Sequence, residues 1–372
     1  MPELIAIDLP GGRPFVEALE RVWDEGNAAL PLDQRLDAPA RAELIALMGA
    51  SHVIGNDGRV NVAAGLPVEH GDALVVPTSG STGNPKGVVL THDAVRASAV
   101  ATSDRLGVDA AADTWLACLP LSHVGGLSVV TRALHTGTAL VVHPGFDAEM
   151  VEVAGRSGVS AVSLVSTALR RIDASLFRVV LLGGSAIPAN RPDNSVATYG
   201  MTESGSGVVY DGVPLDGVEV RVVEGELQLR CKMLLRCYRD GTDPKTDDGW
   251  YPTGDLGTFD GGRVQVHGRA GDLIITGGEN VFPEPIERRL LEHPDVLDAA
   301  IVGVADEEWG QRLVAVVVPH DEVPSLGDLR DHVRANLPAW CAPRQVVEAK
   351  AIPRTALGKV RRADLATAVA TG

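Results

Sequence analysis

The amino-acid sequence predicts an α/β protein with two domains, and three observations lead to that fold class. The chain has 372 residues, which is more than one compact core usually organises. Between about residues 73 and 182, apolar strand-like runs alternate with helix-like segments over short connections, as in a sheet that helices cover on both faces. After Tyr210, short alternating runs separated by glycine and aspartate turns indicate antiparallel strands.

The individual elements follow in chain order. Phe15, Leu19 and Val22 recur at helical spacing, and Gly26 suits the end of that helix. The later expectations are a buried strand at Ala73–Pro77 that leads through a glycine-rich loop into a helix over about 93–106, strands near 114–119, 138–142, 160–165 and 177–182, and helices after Gly126, near 148–156 and near 167–172.

The last hundred residues, approximately, have a pattern of their own. FDGGRVQVHG, residues 259–268, is a hairpin signal because two glycines separate alternating runs. From about Gly271 the chain offers strand, helix and strand again, with DAAIVGVAD and QRLVAVVVP as the clearest strands. This stretch predicts a small α+β domain.

Composition and charge restrict the partners. The formal net charge of −16 argues against nucleic acid and anionic membrane surfaces, because both attract basic proteins. Anionic ligands must then be bound by a few local cations and backbone N–H groups. The uncharged run Thr114–Thr131 contains Pro120 and His123, so we expect strand, loop and helix start there and no membrane span.

The N-terminus and the cysteines indicate a cytoplasmic protein. The opening MPELIAIDLPGG carries acids and no basic segment, so no signal peptide is expected. The cysteines form no C-x-x-C pair and no ligand cluster with histidine, so we expect reduced thiols. They are Cys118, Cys231, Cys237 and Cys341.

A loop rich in glycine and hydroxyl groups carries the first chemical signal. VPTSGSTGNPKGVVLTH (Val76–His92) fits neither the G-x-x-x-x-G-K-[ST] spacing of the P-loop nor the G-x-G-x-x-G spacing of dinucleotide-binding folds. Its hydroxyls, its lysine and the close backbone approach that glycine permits favour phosphate binding over a flexible linker. The candidate residues are Thr78, Ser79, Gly80, Ser81, Thr82, Gly83 and Lys86.

Other segments suit a nucleotide, although each has an ordinary alternative. In YGMTE (Tyr199–Glu203) an aromatic ring can cover a purine, Thr202 can reach phosphate, and Glu203 is a hard oxygen ligand for Mg²⁺, although a lone glutamate is more often solvated. The glycines of LLGGSAIP (Leu182–Pro188) allow a flat base to lie against backbone, or simply make a tight turn. Asp255 is expected to be an exposed acceptor for ribose hydroxyls, with a turn aspartate as the alternative.

Together these motifs resemble the adenylate-forming superfamily of acyl-CoA synthetases, luciferases and peptide-synthetase adenylation domains. TSGSTGNPKGV (Thr78–Val88) is similar to the superfamily's phosphate-loop signature. Further motifs follow in the superfamily's order: YGMTE, the nucleotide and magnesium motif; GWYPTGDLG (Gly249–Gly257), the ribose motif; GRAGDLIITGGENVFPEPIE (Gly268–Glu287), the hinge motif; and PRTALGKVRR (Pro353–Arg362), the lysine motif.

The resemblance assigns roles to individual residues. It implies that Thr202 and Glu203 are catalytic, with Glu203 as the Mg²⁺ ligand, and that Lys359 is the lysine of the adenylation step. The alternative for Lys359 is an ordinary surface lysine. Besides the phosphate loop, the residues implied in nucleotide binding are Gly183, Gly184, Ser185, Tyr199, Gly200, Asp255 and Arg269.

The resemblance also implies the domain organisation. Residues 1–269 would form a large N-terminal α/β domain of stacked sheets with helices and a small antiparallel β region. Residues 270–372 would form a smaller, mobile α+β domain. The hinge position falls on Gly271, where many members have an acidic or polar residue, and glycine tolerates the φ/ψ changes of a hinge.

The implied reaction has two halves and uses ATP, Mg²⁺ and coenzyme A. A carboxylate attacks the α-phosphorus of ATP and forms an acyl-adenylate and pyrophosphate, and the coenzyme A thiol then displaces AMP. Between the halves the small domain rotates, Lys359 withdraws, and the GGEN loop with Gly277 and Gly278 lines the pantetheine channel. The expected partners are small molecules, and a homodimer is compatible with the sequence.

Two segments resemble one branch of the superfamily. PLSHVGGLS (Pro120–Ser128) and YGMTESGSGVVYDGVPLDGVEVRV (Tyr199–Val222) are similar to o-succinylbenzoate–CoA ligases of menaquinone biosynthesis, the second in their actinobacterial form. The branch activates the succinyl carboxylate, so the benzoate carboxylate needs hydrogen-bond donors elsewhere. The candidates for that role are His123, Ser204 and Ser206.

Two departures from that branch leave the acid open. Ser122 stands where an aromatic residue is usual, and Ser166 stands where a proline is common at a helix start. The alternatives are another aryl- or acyl-CoA synthetase, or a standalone adenylation enzyme that loads a carrier protein. A degenerate nucleotide-binding protein is disfavoured because the residues expected to act in adenylation are all present, namely Lys86, Glu203, Asp255 and Lys359.

Overall fold

A computed structural model describes residues 1–62, 65–78, 85–184, 187, 190–354 and 360–371. The strands are β1 (Leu4–Ile7), β2 (Ala28–Pro31), β3 (His52–Gly55), β4 (Gly58–Asn61), β5 (Asp72–Thr78), β6 (Lys86–Thr91), β7 (Thr114–Ala117), β8 (Ala139–Val142), β9 (Ala161–Leu164), β10 (Val179–Leu182), β11 (Ser195–Met201), β12 (Ser206–Tyr210), β13 (Val213–Pro214), β14 (Glu219–Val223), β15 (Glu226–Arg230), β16 (Cys237–Tyr238), β17 (Tyr251–Asp260), β18 (Arg263–Arg269), β19 (Ile274–Thr276), β20 (Glu279–Val281), β21 (Val296–Asp306), β22 (Gly310–Pro319) and β23 (Gln345–Glu348). The helices are α1 (Arg13–Asp24), α2 (Ala38–Met48), α3 (His92–Leu106), α4 (Val124–Thr136), α5 (Ala148–Arg156), α6 (Ser166–Leu169), α7 (Pro283–Leu290), α8 (Leu326–Arg334) and α9 (Arg362–Thr371). Within these ranges, no helix has the length and apolar character needed to cross a membrane.

The chain divides into two compact units. Unit 1 comprises Met1–Val220 and Leu229–Pro252, and unit 2 comprises Arg221–Gln228 and Thr253–Gly372. The predicted division into domains 1–269 and 270–372 follows from a hinge motif and describes which parts move. These compact units do not test it, so it stays a prediction.

The first sheet of unit 1 has the order β16-β6-β5-β2-β1-β3-β4. Its centre is parallel, with β1 paired to β2 and to β3, and β2 paired to β5. One face packs a core that includes Leu4, Leu30 and Val75. The helix predicted from Phe15 and Leu19 is α1, in which both side chains are buried, so that prediction is confirmed.

The second sheet of unit 1 has the order β13-β12-β11-β10-β9-β7-β8. The strands from β8 to β11 run parallel, and β12 returns antiparallel to β11. Val162, Val180 and Leu182 belong to the core on this sheet. Because the strands are parallel, their carboxyl ends meet at one edge of the sheet, where ligands commonly bind in open α/β sheets.

The expectation for the glycine-rich loop was partly wrong. The buried strand before it is β5, as predicted, but the loop leads into strand β6 rather than directly into a helix. β5 and β6 form an antiparallel pair in which Thr78 lies opposite Lys86. The buried run GVVL in β6 has the β-branched composition of a strand, and α3 begins only after Thr91, whose side chain accepts a hydrogen bond from the Ala94 N–H.

The other predicted elements of unit 1 lie within a few residues of their expected positions. α5 covers the predicted residues, and β7 to β10 are slightly shorter than the strands expected there. α6 is a single turn, Ser166–Leu169, whereas about six residues were expected. The mixed α/β architecture confirms the predicted fold class.

Unit 2 contains most of a four-stranded sheet and an α+β segment after it. The sheet has the order β14-β15-β17-β18, and the predicted hairpin is the β17–β18 pair. The α+β segment contains a five-stranded sheet. Four of its strands have the order β20-β19-β22-β21, and the fifth, β23, pairs parallel to β22. Alternate residues of β21 enter two cores, with Ile301 in one and Val302 in the other, so helices cover both faces of this sheet.

Candidate functional site

The paired glycines Gly183 and Gly184 lie directly after β10, at the carboxyl edge of the second sheet. The Thr198 hydroxyl of the neighbouring strand β11 donates to the Leu182 carbonyl at 2.9 Å and ties the two strand ends together. No side chain extends from either glycine, so bare backbone is presented beside β11. Ser185 lies outside the described residues.

The YGMTE motif spans the end of β11, with Tyr199, Gly200 and Met201 as the last residues of the strand. A bulge falls between Tyr199 and Gly200, and β12 passes so close that a Cβ on Gly200 would lie 2.2 Å from the Ser206 carbonyl oxygen. Only glycine fits there. Thr202 and Glu203 then enter a 3₁₀ turn, both half-buried. The motif therefore lies at the end of β11, the strand that pairs with β10, and β10 ends directly before Gly183 and Gly184.

Glu203 is held by a residue that the sequence analysis missed. The Tyr238 hydroxyl donates to Glu203 Oε1 at 3.0 Å, and the Leu235 N–H donates to the Glu203 carbonyl at 2.7 Å. Lys86 Nζ lies 4.9 Å from the centroid of the Tyr238 ring. Lys86 and Glu203, which belong to different motifs, thus contact the same tyrosine.

The phosphate-loop prediction rests mainly on residues whose structure is not described here. Thr78 donates its hydroxyl to the Lys86 carbonyl at 3.3 Å and closes the base of the loop. Lys86 is exposed. Outside the described residues lie Ser79, Gly80, Ser81, Thr82 and Gly83.

The serines that follow YGMTE face the protein interior. Ser204 is fully buried, and its hydroxyl bonds to the carbonyls of Met201 at 3.0 Å and Ser206 at 2.8 Å. Ser206 donates to Ser128 Oγ at 3.3 Å and receives a bond from Arg132 Nη2 at 3.5 Å. That Ser204 and Ser206 bind substrate stays a prediction, and Ser206 is the better placed of the two.

Arg132 is the second residue that the sequence analysis missed. Its side chain comes from α4 and is 1% exposed, with the guanidinium 4.6 Å from the centroid of the Trp115 ring. Nε and Nη1 have no hydrogen-bond partner among the residues that the structure describes. Burial lowers the pKa of Arg132, and Tyr210 opposes that effect, yet an arginine stays charged in proteins. The sequence did contain a signal for this residue. Arg132 directly follows the long uncharged run Thr114–Thr131, and a charge at the end of such a run is expected to lie near the core.

A small cavity adjoins Arg132. Its volume is about 10 Å³, close to the space that one water molecule needs. The lining includes Leu127, Ser128, Thr131 and Gly205. A buried cation whose Nε and Nη1 have no hydrogen-bond partner among the described residues is costly for a fold. The cavity beside it has space for one water molecule, which is the size of group that reaches the guanidinium there.

His123 immediately precedes α4 and contacts a charged pair from the segment after β2. Its Nε2 lies 3.4 Å from Asp33 Oδ2 and 3.2 Å from Arg35 Nη2. Arg35 binds Asp33 with Nε at 2.8 Å and Nη2 at 2.6 Å. Burial lowers the pKa of His123, while Asp33 raises it, so the imidazole is expected to be neutral at pH 7. Its predicted contact with substrate stays a prediction.

In unit 2, Asp255 and Arg269 are cross-strand neighbours on β17 and β18. Arg269 Nε lies 2.8 Å from Asp255 Oδ1, and Arg269 Nη1 donates to the Thr253 carbonyl at 3.2 Å. The expectation that Asp255 is exposed was wrong: it is 5% exposed. The reason is strand alternation, since every second residue from Tyr251 to Gly257 faces inward. The pairing of both ribose-motif residues agrees with a shared role.

The hinge and GGEN glycines of unit 2 occupy two kinds of turn. Gly271 lies in an exposed 3₁₀ turn, where an added Cβ would meet no atom within 4 Å. Gly277 and Gly278 have φ values of 60° and 84° and form the two-residue turn between β19 and β20. Two adjacent residues at positive φ are characteristic of a type I′ hairpin turn, which explains the glycine pair.

Lys359 lies outside the described residues, and the described chain on either side of residues 355–359 is held by several bonds. Arg354 and Val360 form an antiparallel bridge, and the Arg361 N–H donates to the Pro353 carbonyl at 2.9 Å. Arg354 Nη2 also lies 2.7 Å from Asp298 Oδ1. The described residues directly before and after Lys359's segment are therefore bonded to each other.

Arg362 fixes the chain shortly after Lys359. It binds both carboxylate oxygens of Glu287, lies 3.2 Å from Glu284 Oε1, and has Nε 3.7 Å from Asp272 Oδ2. Burial opposes its charge, but Glu287, Glu284 and Asp272 outweigh that effect and raise the pKa of Arg362. Burial also raises the pKa of Glu284, against the influence of Arg362. The lysine motif thus ends in a half-buried ionic cluster that includes a neighbour of Gly271.

Comparison with known proteins agrees with this set of motifs. Residues 65–230 match the family described as AMP-binding enzyme, and residues 285–359 match the AMP-binding enzyme C-terminal domain. The chain belongs to the AMP-binding enzyme family, which confirms the resemblance to adenylate-forming enzymes.

Several similar proteins belong to one group of enzymes within this family, the 2-succinylbenzoate–CoA ligases. A probable 2-succinylbenzoate–CoA ligase of Mycobacterium tuberculosis (strain CDC 1551 / Oshkosh) is 38% identical over 392 aligned residues, which cover 97% of each chain. The structure of o-succinylbenzoate CoA synthetase (MenE) from Bacillus subtilis with the acyl-adenylate intermediate OSB-AMP is 28% identical, with a TM-score of 0.86 over 98% of this chain and 88% of that one. The same enzyme with ATP and magnesium ion is 27% identical, with a TM-score of 0.86 over 98% and 89% of the two chains.

Proposed function

We propose that this protein is an ATP-dependent o-succinylbenzoate–CoA ligase that works through an acyl-adenylate. The observation that carries the choice of acid is the buried guanidinium of Arg132 beside a cavity at Ser128, because its Nε and Nη1 have no hydrogen-bond partner in the described part of the chain. If the substrate has a second carboxylate, distant from the reacting one, the positive charge of Arg132 can interact with it. The similarity over nearly the full chain to a probable 2-succinylbenzoate–CoA ligase supports the same acid.

In the first half-reaction the chain's own residues hold ATP for attack at the α-phosphorus. The backbone at Gly183 and Gly184 and the ring of Tyr199 receive the adenine, while Asp255 and Arg269 receive the ribose. The glycine-rich loop, with Thr78 and Lys86, holds the departing pyrophosphate. Thr202 and Lys359 stabilise the negative charge that spreads over the phosphate oxygens in the transition state.

Glu203 is the proposed Mg²⁺ ligand, and the donor set agrees with that metal. Across the described part of the chain, no group of three or more histidine, cysteine or acidic side chains is arranged to hold an ion alone. Mg²⁺ typically takes one or two carboxylates and completes its shell with phosphate and water. When bound, the ion neutralises phosphate charge during the displacement.

In the second half-reaction the coenzyme A thiol attacks the acyl-adenylate and AMP departs. We propose that Gly271 is the hinge between the two steps and that the turn at Gly277 and Gly278 lines the thiol's approach. Arg344 stacks on Trp309 at 3.3 Å beside this turn. Both side chains are half-buried, and a guanidinium stacked on an aromatic ring suits the coenzyme's phosphates and base.

The substrate's far carboxylate is proposed to meet Arg132, Ser128 and Ser206 through a bridging water, because the cavity has space for about one. His123, neutral and fixed by Asp33, is proposed to contact the acyl group. Cytoplasmic location and a homodimer stay predictions, which cell fractionation and light scattering would test.

The experiment is an ATP- and coenzyme-A-dependent ligation assay across a panel of acids. Saturation by o-succinylbenzoate at micromolar concentration, with benzoate silent, is the expected result. Preference for benzoate or a short-chain acid would instead indicate another acyl-CoA synthetase. If adenylate formed but free coenzyme A were inert, a carrier-protein acceptor would replace the coenzyme.

A further inference from the structure

Tyr238 contacts two functional side chains that lie 117 residues apart in sequence (203 − 86). It belongs to β16, a two-residue strand that pairs antiparallel with β6, where Tyr238 lies opposite Val88. This pairing places the ring near Lys86, with Nζ 4.9 Å from the ring centroid, and the hydroxyl 3.0 Å from Glu203 Oε1. Tyr238 is 8% exposed, so its position is determined by packing.

We infer that Tyr238 is a positioning residue that orients the Glu203 carboxylate for Mg²⁺ and holds Lys86 apart from it. The inference rests on the proposed function, in which Glu203 is the Mg²⁺ ligand. Tyr238 does not itself touch the metal or the phosphates in this proposal. It acts through Glu203, as groups beyond the direct ligands commonly orient the ligands of a metal.

The first physical reason is the restriction of Glu203. A glutamate side chain is among those that lose most rotamer entropy when they become fixed. Tyr238 occupies Oε1, and the Leu235 N–H holds the backbone of Glu203 at 2.7 Å. Both contacts come from the same short segment, so Glu203 is oriented before a cation arrives, which reduces the entropy that binding must offset.

The second reason is the direction of the hydrogen bonds. An ionised carboxylate only accepts, so the Tyr238 proton points to Glu203. Tyr251 Oη lies 3.4 Å from Tyr238 Oη and is then the donor to it. A chain from Tyr251 through Tyr238 to Glu203 results, and each bond polarises the next.

The third reason is charge separation. The ring face of Tyr238 attracts the Lys86 ammonium group by a cation–π interaction. Among the ion pairs of the described residues, none joins Lys86 to Glu203. With Lys86 held on the ring, Glu203 keeps its charge available to a metal and Lys86 keeps its charge available to phosphate.

The test compares Tyr238→Phe, which removes only the hydroxyl, with Glu203→Gln in the full-length protein. Two quantities are measured: the dissociation constants of ATP with and without Mg²⁺ by calorimetry, and the Mg²⁺ concentration that half-saturates acid-dependent pyrophosphate exchange. Tyr238→Phe should raise that Mg²⁺ concentration about 10-fold and weaken Mg²⁺-dependent ATP binding, while metal-free ATP binding stays unchanged. Thioester formation from supplied acyl-adenylate should also stay unchanged.

Tyr210→Phe is the matched control, because its hydroxyl bonds to Thr102 Oγ1 at 2.9 Å rather than to Glu203. It should leave the Mg²⁺ dependence as in the wild type. If Glu203→Gln shifts the Mg²⁺ dependence and Tyr238→Phe does not, the role of Tyr238 is overturned and the proposed function stands. If Glu203→Gln also causes no shift, the assignment of Glu203 as the metal ligand fails, and the role of Tyr238 fails with it.

Discussion

Arg132 Nη2 lies 3.5 Å from Ser206 Oγ, which joins α4 to the strand that follows the YGMTE motif. The strand that follows the nucleotide motif therefore contacts a buried cation directly. Ser206 also bonds Ser128 at 3.3 Å, so two hydroxyls and a guanidinium converge beside Gly205. This convergence gives the acid specificity a physical basis close to the proposed nucleotide site.

Arg132→Met should selectively impair use of o-succinylbenzoate. Methionine has a similar volume, so packing persists while the charge is lost. A hydrogen bond to a charged group contributes about 1.5–3 kcal/mol, so the KM for the acid should rise by roughly 10- to 100-fold with the KM for ATP nearly unchanged. Steady-state kinetics with each substrate varied in turn would measure this.

A monocarboxylic acid provides the control for Arg132→Met. Any residual turnover of benzoate should change less than 2-fold, because benzoate lacks the second carboxylate. Melting temperature should not fall, since replacing a buried unpaired charge by an apolar group is neutral or stabilising. Equal losses with both acids would point to a general structural role for Arg132.

Lys359→Ala should separate the two half-reactions. Adenylate formation, followed by pyrophosphate exchange, should fall by about 100-fold or more, because a preorganised charge on the transferring group is lost. Thioester formation from supplied acyl-adenylate should be nearly unchanged. Lys350→Ala, at an exposed position, is the control and should leave both activities as in the wild type. Comparable losses in both half-reactions of Lys359→Ala would refute the two-step role.

Gly271→Pro should trap the enzyme in one conformation. Proline fixes φ near −65°, so rotation at this residue is blocked and one half-reaction should be lost. Gly271→Ala is the matched control, because its Cβ would meet no atom within 4 Å. The alanine variant should retain both half-reactions, measured as above. If both activities survive in the proline variant, the hinge lies elsewhere.

The sequence predicted those elements that depend only on the spacing of neighbouring residues. α1 and α5 follow from spacing, and the motif order indicated the family. Tyr238 was missed because β16 has only two residues and pairs with a strand about 150 residues earlier. Arg132 was missed because its burial depends on packing against Trp115 and Ser206. Asp255 was misjudged because strand pairing, which no local pattern reveals, buried it beside Arg269.

Arg362→Met should destabilise unit 2, because it leaves the buried Glu287 and the half-buried Glu284 without their cation. Removing one partner of a buried ionic cluster costs about 3–5 kcal/mol, so a clear fall in melting temperature is expected by calorimetry. Arg361→Met removes an exposed contact, 3.7 Å from Asp364, and should change stability by less than about 0.5 kcal/mol. Similar changes in stability at both positions would show that the Arg362 cluster stabilises the fold no more than an exposed ion pair does.

Asp33→Asn should destabilise the fold at neutral pH and matter less as the pH falls. Burial alone would raise the pKa of Asp33, but hydrogen bonds from Arg35 and the charges of Arg35 and His123 outweigh it and lower the pKa from 3.8 to about 2. The native state therefore binds fewer protons than the unfolded state between these values, so ionised Asp33 stabilises the fold above about pH 4 and this contribution is lost as the pH falls through about 2. Urea unfolding from pH 7 to pH 3 should show a difference of about 1–3 kcal/mol at pH 7 that falls by about half at pH 3. Asp57→Asn, in the exposed turn between β3 and β4, should stay within about 0.5 kcal/mol of the wild type throughout. A difference for Asp33→Asn that does not vary with pH would mean that the charge of Asp33 contributes nothing to stability.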